Sequence, residues 1–173
     1  MKKKIDTKQL SEYKIFENIE QKSLESLAEK MKIKSYKNKQ TIIKEGEEGK
    51  TILFLISGDI SISQALTLKT NEFEHLDNRE KELIRINSNE QKFSFGEISL
   101  FNNNKERTAT VKTNSECVIG EINFKDLFEV CEANNLTGYQ LMKNIGHIIT
   151  KQLLVSNRNV LKLTTAFSLM VDK

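Results

Sequence analysis

Helical periodicity dominates the first part of the chain. From Thr7 to about Lys34, the apolar residues Leu10, Ile15, Phe16, Ile19, Leu24, Leu27 and Met31 recur at helical spacing, and Ser23 can open a turn. This pattern predicts one broken helix or two short ones. The texture then changes. In "QTIIKEGEEGKTILFLISGDISIS" the segments TII, TILFLI and DISIS are rich in β-branched and apolar residues, and Gly46, Gly49 and Gly58 separate them. Three short strands joined by tight turns are expected, the glycines supplying positive φ. Between Gln64 and Lys92 the chain is polar, and only "ELIRI" has strand character, so an extended hairpin or a long surface loop is expected there. A strand entering "FGE", followed by "RTATVKT" and "CVIGEI", completes a series of short strands punctuated by turns, the pattern of a small barrel or jelly roll.

The helical period returns at "NFKDLFEVCEANN". Asn123 is placed to cap this helix, Phe124, Leu127, Phe128 and Cys131 form its apolar face, and "ANN" ends it. A second, longer helix is predicted from about Thr137 towards Leu163 or beyond. In it Ile149, Leu153, Ser156, Val160, Leu163, Phe167 and Met170 alternate steps of four and three, an a/d seam with one polar break at Ser156. Such a seam packs either on its own barrel or on the same helix of a second copy. The second arrangement is the expectation.

Composition narrows the function classes. A chain of 173 residues suits one domain with a real core. A net charge of +3 falls short of the basic excess of a nucleic-acid binder. No apolar run approaches the roughly 18 residues of a membrane span, and no hydrophobic stretch follows the basic start, so a cytoplasmic protein is expected. Cys117 and Cys131 stand alone in apolar contexts and read as reduced thiols. His75 and His147 are too few and too far apart for zinc. Neither a nucleophile with a partnered base nor a Walker-type loop is present, so no catalytic activity, metal or cofactor is expected.

The stretch "FGEISLFNNNKERTATV", residues 95–111, carries the candidate chemistry. "ISLF" can form a single helical turn whose first N–H groups hold an anion, and Gly96 allows close approach. Arg107, expected to open the next strand, can bind phosphate oxygens bidentately. Glu97 would repel a phosphate, so its fitting partner is a neutral donor such as a sugar hydroxyl. The alternative is an ion pair between Glu97 and Arg107 across a hairpin, which contributes about 0 to 1 kcal/mol when exposed.

These residues resemble the phosphate-binding cassette of cyclic nucleotide-binding domains, and the glutamate-to-arginine spacing resembles the bacterial catabolite-activator branch. The resemblance covers nearly the whole chain, including the glycine-punctuated block "KEGEEGKTILFLISGDISIS". It implies an α+β fold: an antiparallel β jelly roll (39–122, with the cassette at 95–111) flanked by N-terminal helices (1–38) and by C-terminal helices (123–173), the last of them long. Residues 1–173 would form a single domain. It further implies that Glu97 binds the ribose 2′-hydroxyl, Arg107 the cyclic phosphate, and the amides around Ile98 and Ser99 the same phosphate. Thr108 would offer its hydroxyl to phosphate or base, with Gly96 and Ala109 completing the cassette contacts. Ser156 and Asn157 fall where catabolite-activator-like proteins place polar base contacts, one of them reaching across a dimer.

Three features depart from the family pattern. A Gly-Asp turn usually precedes "FGE", and here the stretch is "NEQKFS". A polar insertion from about Leu66 to Arg79 lengthens a hairpin. The chain stops at Lys173, before any helix-turn-helix, which needs several further helices, so direct DNA binding is not expected. The resulting expectation is a stand-alone cyclic nucleotide receptor for cAMP, or secondarily cGMP. It would dimerise through 149–170, shift its last helix on binding and act on an unidentified downstream protein. The alternatives are a degenerate scaffold that binds partners without ligand, a regulator fragment, and a receptor for a cyclic dinucleotide.

Overall fold

The computed structural model describes residues 5–65 and 80–171. The polar insertion at 66–79 and His75 lie outside them. The chain enters through α1 (Thr7–Leu10), a 3-10 turn (Lys14–Phe16) and α2 (Gln21–Lys30). Eight strands follow: β1 (Lys32–Tyr36), β2 (Thr41–Ile43), β3 (Thr51–Ser57), β4 (Asp59–Ala65), β5 (Glu80–Asn87), β6 (Phe93–Phe95), β7 (Thr110–Thr113) and β8 (Cys117–Asn123). A single-turn helix α3 (Ile98–Phe101) interrupts them, and α4 (Phe124–Ala133) and α5 (Asn135–Val171) close the chain.

The strands form two antiparallel four-stranded sheets, ordered β1-β8-β3-β6 and β2-β7-β4-β5, the expected jelly roll. One strand was hidden in the sequence. The helical reading to about Lys34 is corrected here, because α2 stops at Lys30 and "KIKSY" pairs with β8 from Lys32↔Glu121 to Tyr36↔Cys117. Its alternation is weak because this edge strand buries no side chain completely.

Strand β3 ties the two halves of the core together. Period-2 alternation sends Leu53 and Leu55 between the sheets, with Ile60, Ile86, Val111 and Ile119, and sends Ile52 and Phe54 outward under the helices. Both faces are therefore dry, which explains why TILFLI reads as an unbroken apolar run. Phe54 stacks on Phe16 and meets Tyr13 edge-on, both with centroids 5.1 Å apart. Burying each such ring contributes about 1.5–3 kcal/mol.

Helix α4 starts where Asn123 caps it, its side chain accepting from Lys125 N–H at 3.0 Å. Its buried face is Phe124, Leu127 and Val130; Cys131 is half-buried, and Phe128, expected inside, is exposed. Val130 supplants Phe128 because packing on β8 and α5 rotates the buried stripe away from it. Helix α5 docks its first four turns through Thr137, Leu141, Asn144 and Ile145. Asn144 Nδ2 donates to the carbonyls of Ile15 (3.1 Å) and Glu17 (2.7 Å), pinning the helix to the entry turn. From residue 150 to 171 every position of α5 is exposed.

Candidate functional site

Strand β6 delivers the chain to the site. Gly96 sits at φ +92°, where a side chain would be strained, and a Cβ there would also run into the Arg107 guanidinium. The turn it makes leads into α3, with Glu97 at the N-cap. The N–H groups of Ile98 and Ser99 belong to the first turn and have no intrahelical acceptor.

Arg107 lies in the loop before β7, which begins at Thr110, and so does not open that strand as expected. Its main chain is held by the "KEGEEG" loop: Gly46 N–H donates to the Arg107 carbonyl (2.9 Å), and Arg107 N–H donates to the Glu47 carbonyl (2.8 Å). The side chain is 8% exposed. Nη1 donates to the carbonyls of Thr51 (3.0 Å) and Gly96 (3.2 Å), and Nη2 donates to Thr51 Oγ1 (3.0 Å). Gly49 was expected as a positive-φ turn glycine, and that reading is corrected. Positive φ occurs at Gly46, Gly58 and Gly96. Gly49 is instead a spacer, since a Cβ there would lie 2.6 Å from Arg107 Nε and 2.7 Å from Ser99 Oγ.

Glu97 is 3% exposed. Its Oε1 accepts from Gln152 Nε2 on α5 at 3.3 Å, while Oε2 is buried with no partner among the described residues. Burial pushes the carboxyl above the ordinary range, against the lowering effects of its own backbone N–H, Gln152 and Arg107. Burial likewise lowers Arg107 from its usual value, opposed by the nearby charges of Glu121 and Glu97. No ion pair joins Glu97 to Arg107 among those of the described residues, so the hairpin ion pair is set aside. Glu121 is itself held by Lys34 Nζ at 2.7 Å and by the Tyr36 hydroxyl at 3.0 Å. Burial first, and Glu121 second, push that phenol up to about 12.

The remaining candidates spread outward from this pair. Ser99 is buried and its hydroxyl donates to the Glu106 carbonyl at 3.1 Å, while Ile98 is exposed beside it. Thr108 is exposed, with its carbonyl accepting from Gln64 Nε2 at 2.7 Å, and Ala109 is half-buried. Ser156 and Asn157 are exposed on α5, one turn beyond Gln152. Gln152 escaped the sequence reading because nothing in its local pattern distinguishes it from other polar helix positions. Among the described residues there is no cluster of metal-ligating side chains, and no helix is long and apolar enough to cross a membrane.

A jelly roll that buries an acid and a guanidinium around a glycine-turned single helical turn, with a long helix touching the acid, is the class of fold and site observed. Comparison with known proteins makes the class specific. The profile of the cyclic nucleotide-binding domain matches residues 33–134, and the chain belongs to that family. Its relatives place it in the catabolite-activator-like branch. It is 32% identical over 99 residues to the cAMP-activated global transcriptional regulator CRP of Haemophilus influenzae, a match covering 57% of this chain and 39% of that protein. It is 28% identical over 133 residues to the cAMP-activated global transcriptional regulator Vfr of Pseudomonas aeruginosa, covering 75% of this chain and 56% of that one. The matches thus span about two fifths to just over half of these relatives' length. Among solved structures, the catabolite activator protein of Thermus thermophilus superposes with a TM-score of 0.70 at 15% identity, covering 88% of this chain and 63% of that one. A cyclic nucleotide-binding domain from Methylobacillus flagellatus gives 0.71 at 13% identity, covering 90% and 80%. At such identities the structural likeness is one of fold.

Proposed function

We propose that this chain is a cyclic nucleotide receptor that takes cAMP in preference to cGMP and reports occupancy through the position of α5. The observation that carries the reading is the buried Glu97 Oε2, which has no partner among the described residues. A buried, unpaired carboxylate oxygen is expensive, and a ligand hydroxyl relieves it. In this reading Oε2 accepts from the ribose 2′-hydroxyl. Of the five guanidinium N–H groups, the bonds to Thr51 and Gly96 engage three, which leaves one on Nη2 and the one on Nε. Those two form one edge of the fork and suit two phosphate oxygens. The missing Cβ at Gly49 keeps the Nε side clear.

The amides of Ile98 and Ser99 add donors to the same phosphate, and Gly96, Thr108 and Ala109 line the approach. Ser156 and Asn157 meet the base, one from each subunit of a homodimer paired along the 149–170 seam. The preference for cAMP is supported by the relatives named above, which are cAMP-activated. Binding shifts α5 only by the difference in affinity between its two positions. Residues 1–173 act in this as one cytoplasmic unit without catalytic activity, signalling to a downstream protein.

A degenerate scaffold that works without ligand is the second reading. Its support is that Thr51 and Gly96 already engage part of the Arg107 fork. Calorimetric titration with cAMP and cGMP, on protein stripped of carried-over nucleotide, separates the two. A receptor at ligand about 100-fold above Kd gains roughly 2.7 kcal/mol of stability, visible as a raised melting temperature. Absence of heat and of any melting shift with both nucleotides, in folded protein, would establish the scaffold instead.

A further inference from the structure

Phe128 is a large aromatic side chain left 39% exposed on α4, and it does not stand alone. With Phe124 and with Leu100 of α3 it forms the apolar floor of a cleft of about 610 Å³. That volume falls within the roughly 300–1,000 Å³ of small-molecule sites. Lys50, Lys105 and Lys125 line the same cleft, whereas Glu97 and Arg107 do not. Lys50 is held by Glu48 at 2.8 Å, but Lys105 and Lys125 enter no ion pair among the described residues. Two acids also reach the cleft. Glu129 is drawn away to Lys30 at 2.7 Å, and Glu132 follows Lys125 by seven helical positions, about 10 Å along the axis. Along α4 the cleft therefore runs from basic through aromatic to acidic.

The backbone marks Lys105 as well. It sits at φ +52°, a region that strains a lysine. Its N–H donates to the Asn102 carbonyl (2.9 Å), and its carbonyl accepts from Gly49 N–H (2.6 Å), so the loop fixes it beside the cleft.

We propose that this cleft binds a small carboxylate with an apolar tail, the acid between Lys105 and Lys125 and the tail on Leu100, Phe124 and Phe128. Two free ammonium groups match one carboxylate, and Glu132 repels a second acid at the far end. The site stands apart from the nucleotide reading, since it shares neither Glu97 nor Arg107.

The test titrates the whole chain with acetate, butyrate, hexanoate and octanoate, by calorimetry and by amide proton–nitrogen correlation spectra. Each methylene that enters the cleft should tighten binding about three- to fourfold, so octanoate should bind about a hundredfold tighter than butyrate. Octanol, which keeps the tail without the acid, should bind at least about tenfold more weakly than octanoate. Spectral shifts should concentrate at Lys50, Lys105 and Phe124–Phe128. Lys105→Asn, which tolerates the left-handed backbone, combined with Lys125→Gln should weaken octanoate about tenfold and leave octanol unchanged; Phe128→Ala should weaken both. No saturable binding of octanoate by the folded wild-type chain overturns the proposal, as does an affinity independent of chain length or equal for acid and alcohol. Shifts confined to Glu97 and Arg107 would put the acid in the cassette and overturn it too, and so would unchanged affinity in the variants. Each outcome reads the same whether or not the chain binds cAMP.

Discussion

Two regions of this molecule bury polar groups, and they do so with opposite bookkeeping. Under the helices, the Tyr13 hydroxyl donates to the Leu55 carbonyl at 2.8 Å, the Ser23 and Thr137 hydroxyls meet at 2.8 Å, and Asn144 serves two carbonyls. Each of these buried side chains has its partner. Around the cassette, a carboxylate that is almost fully buried keeps one oxygen empty. The other described side-chain atom in that condition is Asn114 Nδ2, whose Oδ1 takes the Ser61 hydroxyl at 3.4 Å in the β7–β8 turn. Satisfied polar burial fixes a fold. Unsatisfied polar burial costs stability, and at Glu97 that cost falls beside a guanidinium in the candidate site.

Arg107 should break this comparison most forcefully, because it belongs to both sides. Arg107→Ala is expected to lower nucleotide affinity by at least about a hundredfold, since two charge-assisted bonds of roughly 1.5–3 kcal/mol each are lost. It should also destabilise the ligand-free protein by about 1–3 kcal/mol, because the half-buried carbonyls of Thr51 and Gly96 lose their donors. Calorimetry and denaturant melts on the same preparation read the two effects separately. Loss of stability with affinity unchanged would make the cassette a second structural core.

Glu97→Gln comes next and sharpens the contrast, since it should weaken binding and strengthen the fold. Affinity is expected to fall about ten- to a hundredfold, as a neutral amide accepts more weakly than a carboxylate. The sign of the stability effect follows from the raised pKa of Glu97 in the folded state. Above the unfolded value of 4.5 the folded protein binds the extra proton, so the contribution of Glu97 to stability falls as pH rises through its elevated pKa. The difference in melting temperature, variant minus wild type without ligand, should therefore grow from pH 4.5 towards neutrality. A flat difference would mean that Glu97 pays no penalty for its burial.

The sequence made much of this architecture legible, and what stayed hidden was hidden for physical reasons. Glycine punctuation marked β2, β3 and β4, and "ISLF" was readable as the single turn that α3 makes, because local chemistry decides those elements. Strand β1 was unreadable, since a half-exposed edge strand of alternating lysines looks like the tail of the preceding helix. Glu97 and Arg107 could be singled out as candidates because their residue types stand out within one short stretch. Gly49 and Gln152 could not. One acts by leaving space for a side chain 58 positions away, the other by reaching 55 positions back, and neither relation has a local signature.

On the structural side of the comparison, Asn144→Ala tests whether satisfied burial is separable from binding. The carbonyls of Ile15 and Glu17 lose their donor, which should lower stability by about 1–3 kcal/mol. Nucleotide affinity at a temperature well below the melt should stay within about twofold, because sites without shared partners behave independently. A large drop in affinity would show that the docking of α5 at Asn144 is already part of the sensing machinery.

Thr108 should give the smallest effect, and the most selective one. Its side chain is exposed while its carbonyl is tied to Gln64, so the hydroxyl competes with water for whatever it binds. A hydrogen bond of that kind is worth only about 0.5–1.5 kcal/mol, a few-fold in affinity. What makes it informative is the chemistry of the two bases. Guanine carries an exocyclic amino group that a threonine hydroxyl can accept from, and adenine has none at that position. Thr108→Ala is therefore expected to weaken cGMP a few-fold and to leave cAMP nearly unchanged in parallel titrations, widening the preference for cAMP. An equal loss for both nucleotides would move the hydroxyl to the shared phosphate, and it would put the discrimination between bases wholly on Ser156 and Asn157 of the outer helix.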